Sequence, residues 1–104
     1  MSRTITVTDL KTLINSRPDI TLLDVRRRAD YDADAATIPG AAWRDPEQVA
    51  TWSKDLPKNN EVVIYCARGG SVSNKVLDQL KELNISAKYI EGGIAAWKEH
   101  EGKS

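Results

Sequence analysis

The stretch that most constrains this chain is an apolar strand that breaks into a glycine loop and then at once into a helix. Val62-Val63-Ile64-Tyr65 is the β-branched run that a buried strand requires. It ends at Cys66, the only cysteine, and Ala67-Arg68-Gly69-Gly70 follows as a short loop. From Ser71 a helical pattern takes over, with Val72, Val76, Leu77, Leu80 and Leu83 at helical intervals and Asn84 suited to a left-handed C-terminal position. A tight loop of this kind turns backbone N–H groups toward whatever sits in it, and the positive end of the helix dipole adds to them. An anion is favoured there, and so is the thiolate, the reactive form of cysteine. A free cysteine is more often just a small buried hydrophobe. The glycines and the helix start shift the reading toward a nucleophilic Cys66.

The rest of the chain alternates strands with helices. Thr4-Ile5-Thr6-Val7 reads as a short strand, and Thr8 as the cap of a helix carrying Leu10, Leu13 and Ile14 that ends before Pro18. Ile20-Thr21-Leu22-Leu23-Asp24-Val25 is nearly continuous in apolar character, as suits a strand covered on both faces. Asp24 interrupts it, and a lone carboxylate there needs a partner, which one of Arg26, Arg27 and Arg28 can supply. The charged stretch from Arg26 to Asp34 reads as a solvated short helix. Ile38-Pro39-Gly40-Ala41 reads as a turn, and Ala41-Ala42-Trp43 as a minor strand. Asp45-Pro46-Glu47-Gln48 announces a helix with Asp45 at the N-cap, Pro46 at the first helical position and Gln48 completing a capping box. Ala87-Lys88-Tyr89-Ile90 is a last strand. Gly92-Gly93 opens a final helix with Ile94 and Trp97 inward, and the polar residues from Glu99 to Ser104 are expected to fray.

This alternation predicts an α/β domain, 1–104, whose largely parallel sheet of about five strands is flanked by helices on both faces. Active sites in such folds lie beyond the carboxyl ends of strands, where Cys66 falls. The 104 residues suffice for one core and are too few for two. Lys plus Arg and Asp plus Glu both number 15, a balance without the basic excess of a nucleic-acid or membrane-surface partner. With no signal-type N-terminus and no apolar run of membrane-spanning length, the chain reads as soluble and cytoplasmic. One cysteine excludes an internal disulfide or CxxC pair, and with a single histidine, His100, it makes no zinc site alone. His100 itself reads as a solvated surface residue. Any sulfur chemistry must pass through one sulfur atom.

Four pieces in order, Leu22-Leu23-Asp24-Val25-Arg26, Ile38-Pro39-Gly40-Ala41, the strand and loop from Val63 through Ser71, and Gly92-Gly93 with Trp97, resemble the rhodanese family of single-domain sulfurtransferases. The resemblance implies a rhodanese-like three-layer domain in which Cys66 takes the outer sulfur of a donor such as thiosulfate and becomes a persulfide. It then gives that sulfur to cyanide, a small thiol or a protein thiol. No cofactor, metal, nucleic acid or membrane enters. The resemblance also implies that Ala67, Arg68, Gly69, Gly70, Ser71 and Val72 form the substrate-binding loop. Among them Arg68 is the candidate for the donor's oxyanion, since a guanidinium offers paired donors, and Ser71 reads first as a helix cap. Asp24 and Arg26 read as a structural ion pair shaping the site, and Trp43 as either a pocket wall or a core residue.

Two departures stand out: Thr37 occupies a position that is often histidine in the family, and Ala67, not arginine, follows the cysteine. The loop therefore assigns no donor. Rival readings are a cysteine-dependent phosphatase or arsenate reductase, a binding module, and a persulfide carrier with little small-molecule turnover. The first generally needs arginine six residues after the cysteine, where this chain has Val72.

Overall fold

The structure is a computed structural model describing residues 4–16, 20–35, 37–38, 40–56, 61–67 and 71–102. Five strands form one sheet: β1 (Thr4–Ile5), β2 (Thr21–Asp24), β3 (Ala42–Trp43), β4 (Val62–Tyr65) and β5 (Ala87–Ile90). Their order is β1-β5-β4-β2-β3, and every described pairing is parallel. β4 is central and its four residues are all buried, so its apolar run faces helices on both sides. Each such Val or Ile contributes roughly 1.5–3 kcal/mol by burial.

Alternation along the strands sorts the core into two layers. Leu23, Val25, Val62 and Ile64 face α3 (Val49–Trp52) and α4 (Ser71–Glu82), meeting Val49, Trp52, Val76, Leu77 and Leu80. Leu22, Val63 and Tyr65 face the other way, toward α1 (Val7–Ser16) and α5 (Gly93–Gly102), with Val7, Leu10, Ile38 and Ile94. A three-layer α/β sandwich with a parallel five-stranded sheet results, as the alternation predicts. The short α2 (Arg28–Ala33) buries no residue and lies past the end of β2.

Several local expectations change. β1 stops at Ile5, because Thr6 and not Thr8 caps α1: the Asp9 N–H donates to Thr6 Oγ1 at 3.1 Å, and Val7 is the first helical residue. Asp45 does cap, accepting from the Glu47 N–H at 2.9 Å, but the turn it starts is 3₁₀ before α3 begins at Val49. Asn84 ends α4 at φ +63, and the Ile85 N–H returns to the Leu80 carbonyl at 2.8 Å while the Asn84 N–H bonds that of Lys81 at 3.0 Å. That pair of bonds is the Schellman closure. It turns Leu83 outward to 47% exposure, off the inner face. At the other end, the polar stretch after Trp97 is helical as far as Gly102, with Glu101 paired to Lys11 at 2.8 Å. His100 is half-buried, not solvated, and its Nδ1 has no described partner.

Candidate functional site

Cys66 stands one residue past β4, at the carboxyl edge of the sheet. It is 6% exposed and belongs to neither apolar layer. Its backbone is held by an element far along the chain. The first N–H groups of a helix lack intrahelical partners, and in α5 two of them are used here. Ile94 N–H donates to the Cys66 carbonyl at 2.9 Å and Ala95 N–H to the Ala67 carbonyl at 3.1 Å. The positive end of α5 is thereby directed at the residue carrying the thiol. Gly92 and Gly93 make this approach possible: both have positive φ, +77 and +61, and a Cβ on Gly92 would stand 2.7 Å from that of Ala96. The glycine pair was legible in the sequence. That the amides behind it reach Cys66 was not.

Beneath the thiol lies a buried polar layer. Asp24 and Tyr65 are register partners on β2 and β4, and Trp43 pairs with Asp24 on β3. Asp24 is fully buried and Arg26 nearly so. The guanidinium donates to the carboxylate three times, Nε at 3.1 and 2.9 Å and Nη2 at 2.7 Å, and Nη1 donates to the Asp34 carbonyl at 2.8 Å. Burial works against the charged guanidinium, but the hydrogen bonds and attraction of Asp24 outweigh it and hold the Arg26 pKa above its ordinary value. The Arg26 carbonyl accepts from Trp43 Nε1 at 3.0 Å, and Tyr31 stacks on Trp43 and lies under the guanidinium, 5.4 Å away. Trp43 therefore braces Arg26.

Tyr65, next to the cysteine, is also fully buried, and its hydroxyl accepts the Ile38 N–H at 3.1 Å. Burial pushes its phenol pKa well up, the Ile38 bond opposes this, and the nearby Asp24 carboxylate adds to the rise. The turn after Ile38 closes through Ala41 N–H to the Ile38 carbonyl at 2.9 Å, with Gly40 at φ +88. Tyr65 thus ties that turn to the strand carrying the cysteine, a contact across 27 residues that no local pattern signals.

Of the expected loop residues, Ala67 is half-buried, Ser71 is the exposed first residue of α4, and Val72 packs against the layer under α4. Ser71 is the first described residue of α4, and the residue ahead of it lies outside the described residues. Arg68, Gly69 and Gly70 lie outside the described residues. Val72, where a phosphatase would hold its arginine, contributes to an apolar cluster. Among the described residues no group of three or more His, Cys, Asp or Glu could hold a metal, and no helix is long and apolar enough to cross a membrane.

Comparison with known proteins agrees with this geometry. The model of the rhodanese-like domain matches residues 6–100. Among curated proteins the chain is 31% identical over 99 residues to the probable adenylyltransferase/sulfurtransferase MoeZ of Mycobacterium tuberculosis, covering 90% of this chain and 24% of that protein. It is 31% identical over 80 residues to the adenylyltransferase and sulfurtransferase UBA4 of Yarrowia lipolytica, covering 73% and 19%. The chain thus spans a quarter or less of these relatives. Among solved structures, a rhodanese-like domain protein from Staphylococcus aureus superposes with TM-score 0.79 at 30% identity, over 93% of this chain and 91% of that one. With the strand order, the polar layer and the cysteine at the sheet edge, these matches establish that the chain belongs to the rhodanese-like domain family.

Proposed function

We propose that this protein is a sulfurtransferase working through a persulfide on Cys66. The Cys66 thiolate attacks the outer sulfur of a donor such as thiosulfate, that sulfur's bond to the rest of the donor breaks, and sulfite leaves. A thiophilic acceptor, cyanide or a thiol, then attacks the outer sulfur of the persulfide and restores the thiolate. One sulfur atom serves both half-reactions, so no second cysteine, metal or cofactor is needed. The supporting observation is Cys66 itself: a buried cysteine outside both apolar layers, its carbonyl clamped by the N-terminus of a ten-residue helix.

In this reading the backbone from Ala67 to Val72 cradles the persulfide and the departing anion, and Arg68 takes the donor's oxyanion. Ser71 contributes at the helix start. Asp24 and Arg26 hold the frame without moving protons. A reduced single thiol suits a cytoplasmic setting.

The test is intact mass. Incubation with thiosulfate adds one sulfur atom to the protein, cyanide then releases thiocyanate, and Cys66→Ser abolishes both. Absence of a sulfur adduct with thiosulfate, mercaptopyruvate and glutathione persulfide refutes the transferase reading. A second reading, a persulfide carrier that delivers sulfur to a protein thiol and turns small molecules over poorly, draws support from relatives in which such a sequence is a quarter or less of a larger protein. It predicts sulfur loading with little thiocyanate release. For Arg68, an unchanged KM for thiosulfate in Arg68→Ala would exclude the oxyanion role.

A further inference from the structure

Besides Tyr65, four polar or charged residues are buried among those described: Asp24, Arg26, Ser53 and Ser73. Asp24 and Arg26 bond each other, and the Ser53 hydroxyl donates to the Ala50 carbonyl at 3.5 Å. Ser73 differs. It is 0% exposed, and its Oγ has no hydrogen-bond partner among the described residues. A buried hydroxyl left unpaired is costly, and an alanine in its place would carry no such cost. The Ser73 hydroxyl is thus a donor with its capacity unspent in the resting protein.

Its place in the fold brings it to the cysteine. The buried stripe of α4 is Ser73, Val76, Leu77 and Leu80, and the last three pack in one layer with Val25, Val62 and Ile64. Because α4 joins two parallel strands, β4 and β5, it runs against both, and its N-terminal end lies at their carboxyl ends. Ser73 begins the stripe one turn beyond Val76 and Leu77, toward that edge. The next residue, Asn74, donates to the hydroxyl of Tyr89 at 3.2 Å, and Tyr89 is the register partner of Ile64. Cys66 comes to the same face from the sheet. The Val25 N–H bond to the Tyr65 carbonyl at 2.8 Å carries the β2–β4 ladder one step past Tyr65 and sets Cys66 opposite Val25. Val25 and Ile64 turn toward α4, so Cys66, two residues after Ile64, turns there too. One helical turn rises about 5.4 Å and two residues of parallel strand about 6.6 Å. Leu80, the Val76 and Leu77 pair, and Ser73 therefore follow Val62, Ile64 and Cys66 in step.

Building on the sulfurtransferase reading, we propose that the Ser73 hydroxyl is the hydrogen-bond donor that meets the outer sulfur of the Cys66 persulfide. In the resting protein Ser73 makes no bond to the thiol, and a persulfide carries its outer sulfur about 2 Å farther out. In loading, the thiolate bonds to the outer sulfur of thiosulfate, the S–S bond of the donor breaks, and sulfite leaves with the electron pair of that bond. The sulfur left on Cys66 is anionic, and Ser73 donates to it without giving up its proton. The bond exists only in the loaded state, so it shifts the balance of loading toward that state. Ser73 is in this respect unlike Ser71, the exposed residue two positions earlier.

The experiment finds where loading comes to equilibrium. Protein in a fixed excess of thiosulfate is titrated with sulfite in the absence of oxygen, and the loaded fraction is read by intact mass. The sulfite-to-thiosulfate ratio at which half the protein carries sulfur is expected to be about tenfold lower in Ser73→Ala than in the parent, as one hydrogen bond to a charged group requires. The urea midpoint of the unloaded variant is expected to equal or exceed the parent's, since the resting hydroxyl has no bond to lose. A fall in the ratio of less than about threefold overturns the assignment and leaves the persulfide reading intact. A lowered urea midpoint in unloaded Ser73→Ala overturns it as well, because the hydroxyl would then be bonded before any sulfur arrives. Failure of the parent protein to load sulfur removes the transferase reading and this inference with it.

Discussion

The Asp24–Arg26 pair makes a sharp prediction because its two side chains are 0% and 3% exposed and share three hydrogen bonds. Arg26→Met keeps much of the side-chain volume but leaves a buried carboxylate with only neutral partners, the backbone N–H of residue 26 at 2.9 Å and the Tyr65 hydroxyl. It also strips the Asp34 carbonyl of a donor. Breaking one side of a buried pair costs about 3–5 kcal/mol, and Asp24→Leu, which strands the guanidinium, costs about as much. In the double variant no buried charge remains unpaired, and the Asp34 carbonyl, the residue 26 N–H and the Tyr65 hydroxyl each lose a partner, at about 1–3 kcal/mol each. At the middle of these ranges the double variant should therefore lose less than the sum of the singles by about 2 kcal/mol, outside the additivity of independent sites. Urea unfolding of the four proteins at neutral pH, with unchanged m-values, reads this directly. Single losses below about 1 kcal/mol, or strict additivity, would refute the account. An Arg26→Met protein of full stability that could not load sulfur would instead give the pair a chemical role.

Two further predictions rest on single residues. Gly92→Ala meets both a left-handed backbone and the Ala96 side chain and should cost about 2–4 kcal/mol, whereas Gly40→Ala, at φ +88 with nothing within 4 Å, should cost only about 1–2 kcal/mol; equal losses in urea would show that the Ala96 contact yields freely. The raised pKa of the Tyr65 phenol means that the unfolded chain ionises first, near pH ~10, so stability from this group is full below that value and falls as the pH climbs toward the folded value. Urea midpoints between about pH 9 and 11 should decline more steeply in the parent protein than in Tyr65→Phe, and identical slopes would contradict the assignment.

Strand alternation and helical spacing carry enough information to order the elements of this fold, because Val62 to Tyr65 or Val76, Leu77 and Leu80 meet their partners through periodicity alone. Asp24 with Arg26 is legible for another reason, a carboxylate in an apolar run beside an arginine two residues away. What escapes the sequence depends on distance along the chain or on competition between neighbours. Thr6 and Thr8 are equivalent by residue type, and only the packing of Val7 against the α1 layer selects the earlier cap. His100 lies in a polar run, and its half-burial comes from where α5 docks. The amides of Ile94 and Ala95 carry no signature in their side chains. Only the folded arrangement separates Arg27 from Arg26, one exposed and the other bound to its buried carboxylate.

These placements divide the labour at the sheet edge. Cys66 is fixed by bonds that its own side chain does not make: α5 holds the carbonyls of residues 66 and 67, and Val25 holds that of Tyr65. Below it, Tyr65, Asp24, Arg26 and Trp43 satisfy one another, so exchanging any one of them strands a buried polar group. Outside that layer, the side chains of Arg27, Lys75 and Glu47 are exposed and structurally cheap to change. A scaffold built this way can keep the position of one sulfur atom constant while the charge of the exposed surface varies. Single substitutions on that surface leave the polar layer, and with it the thiol, where they are.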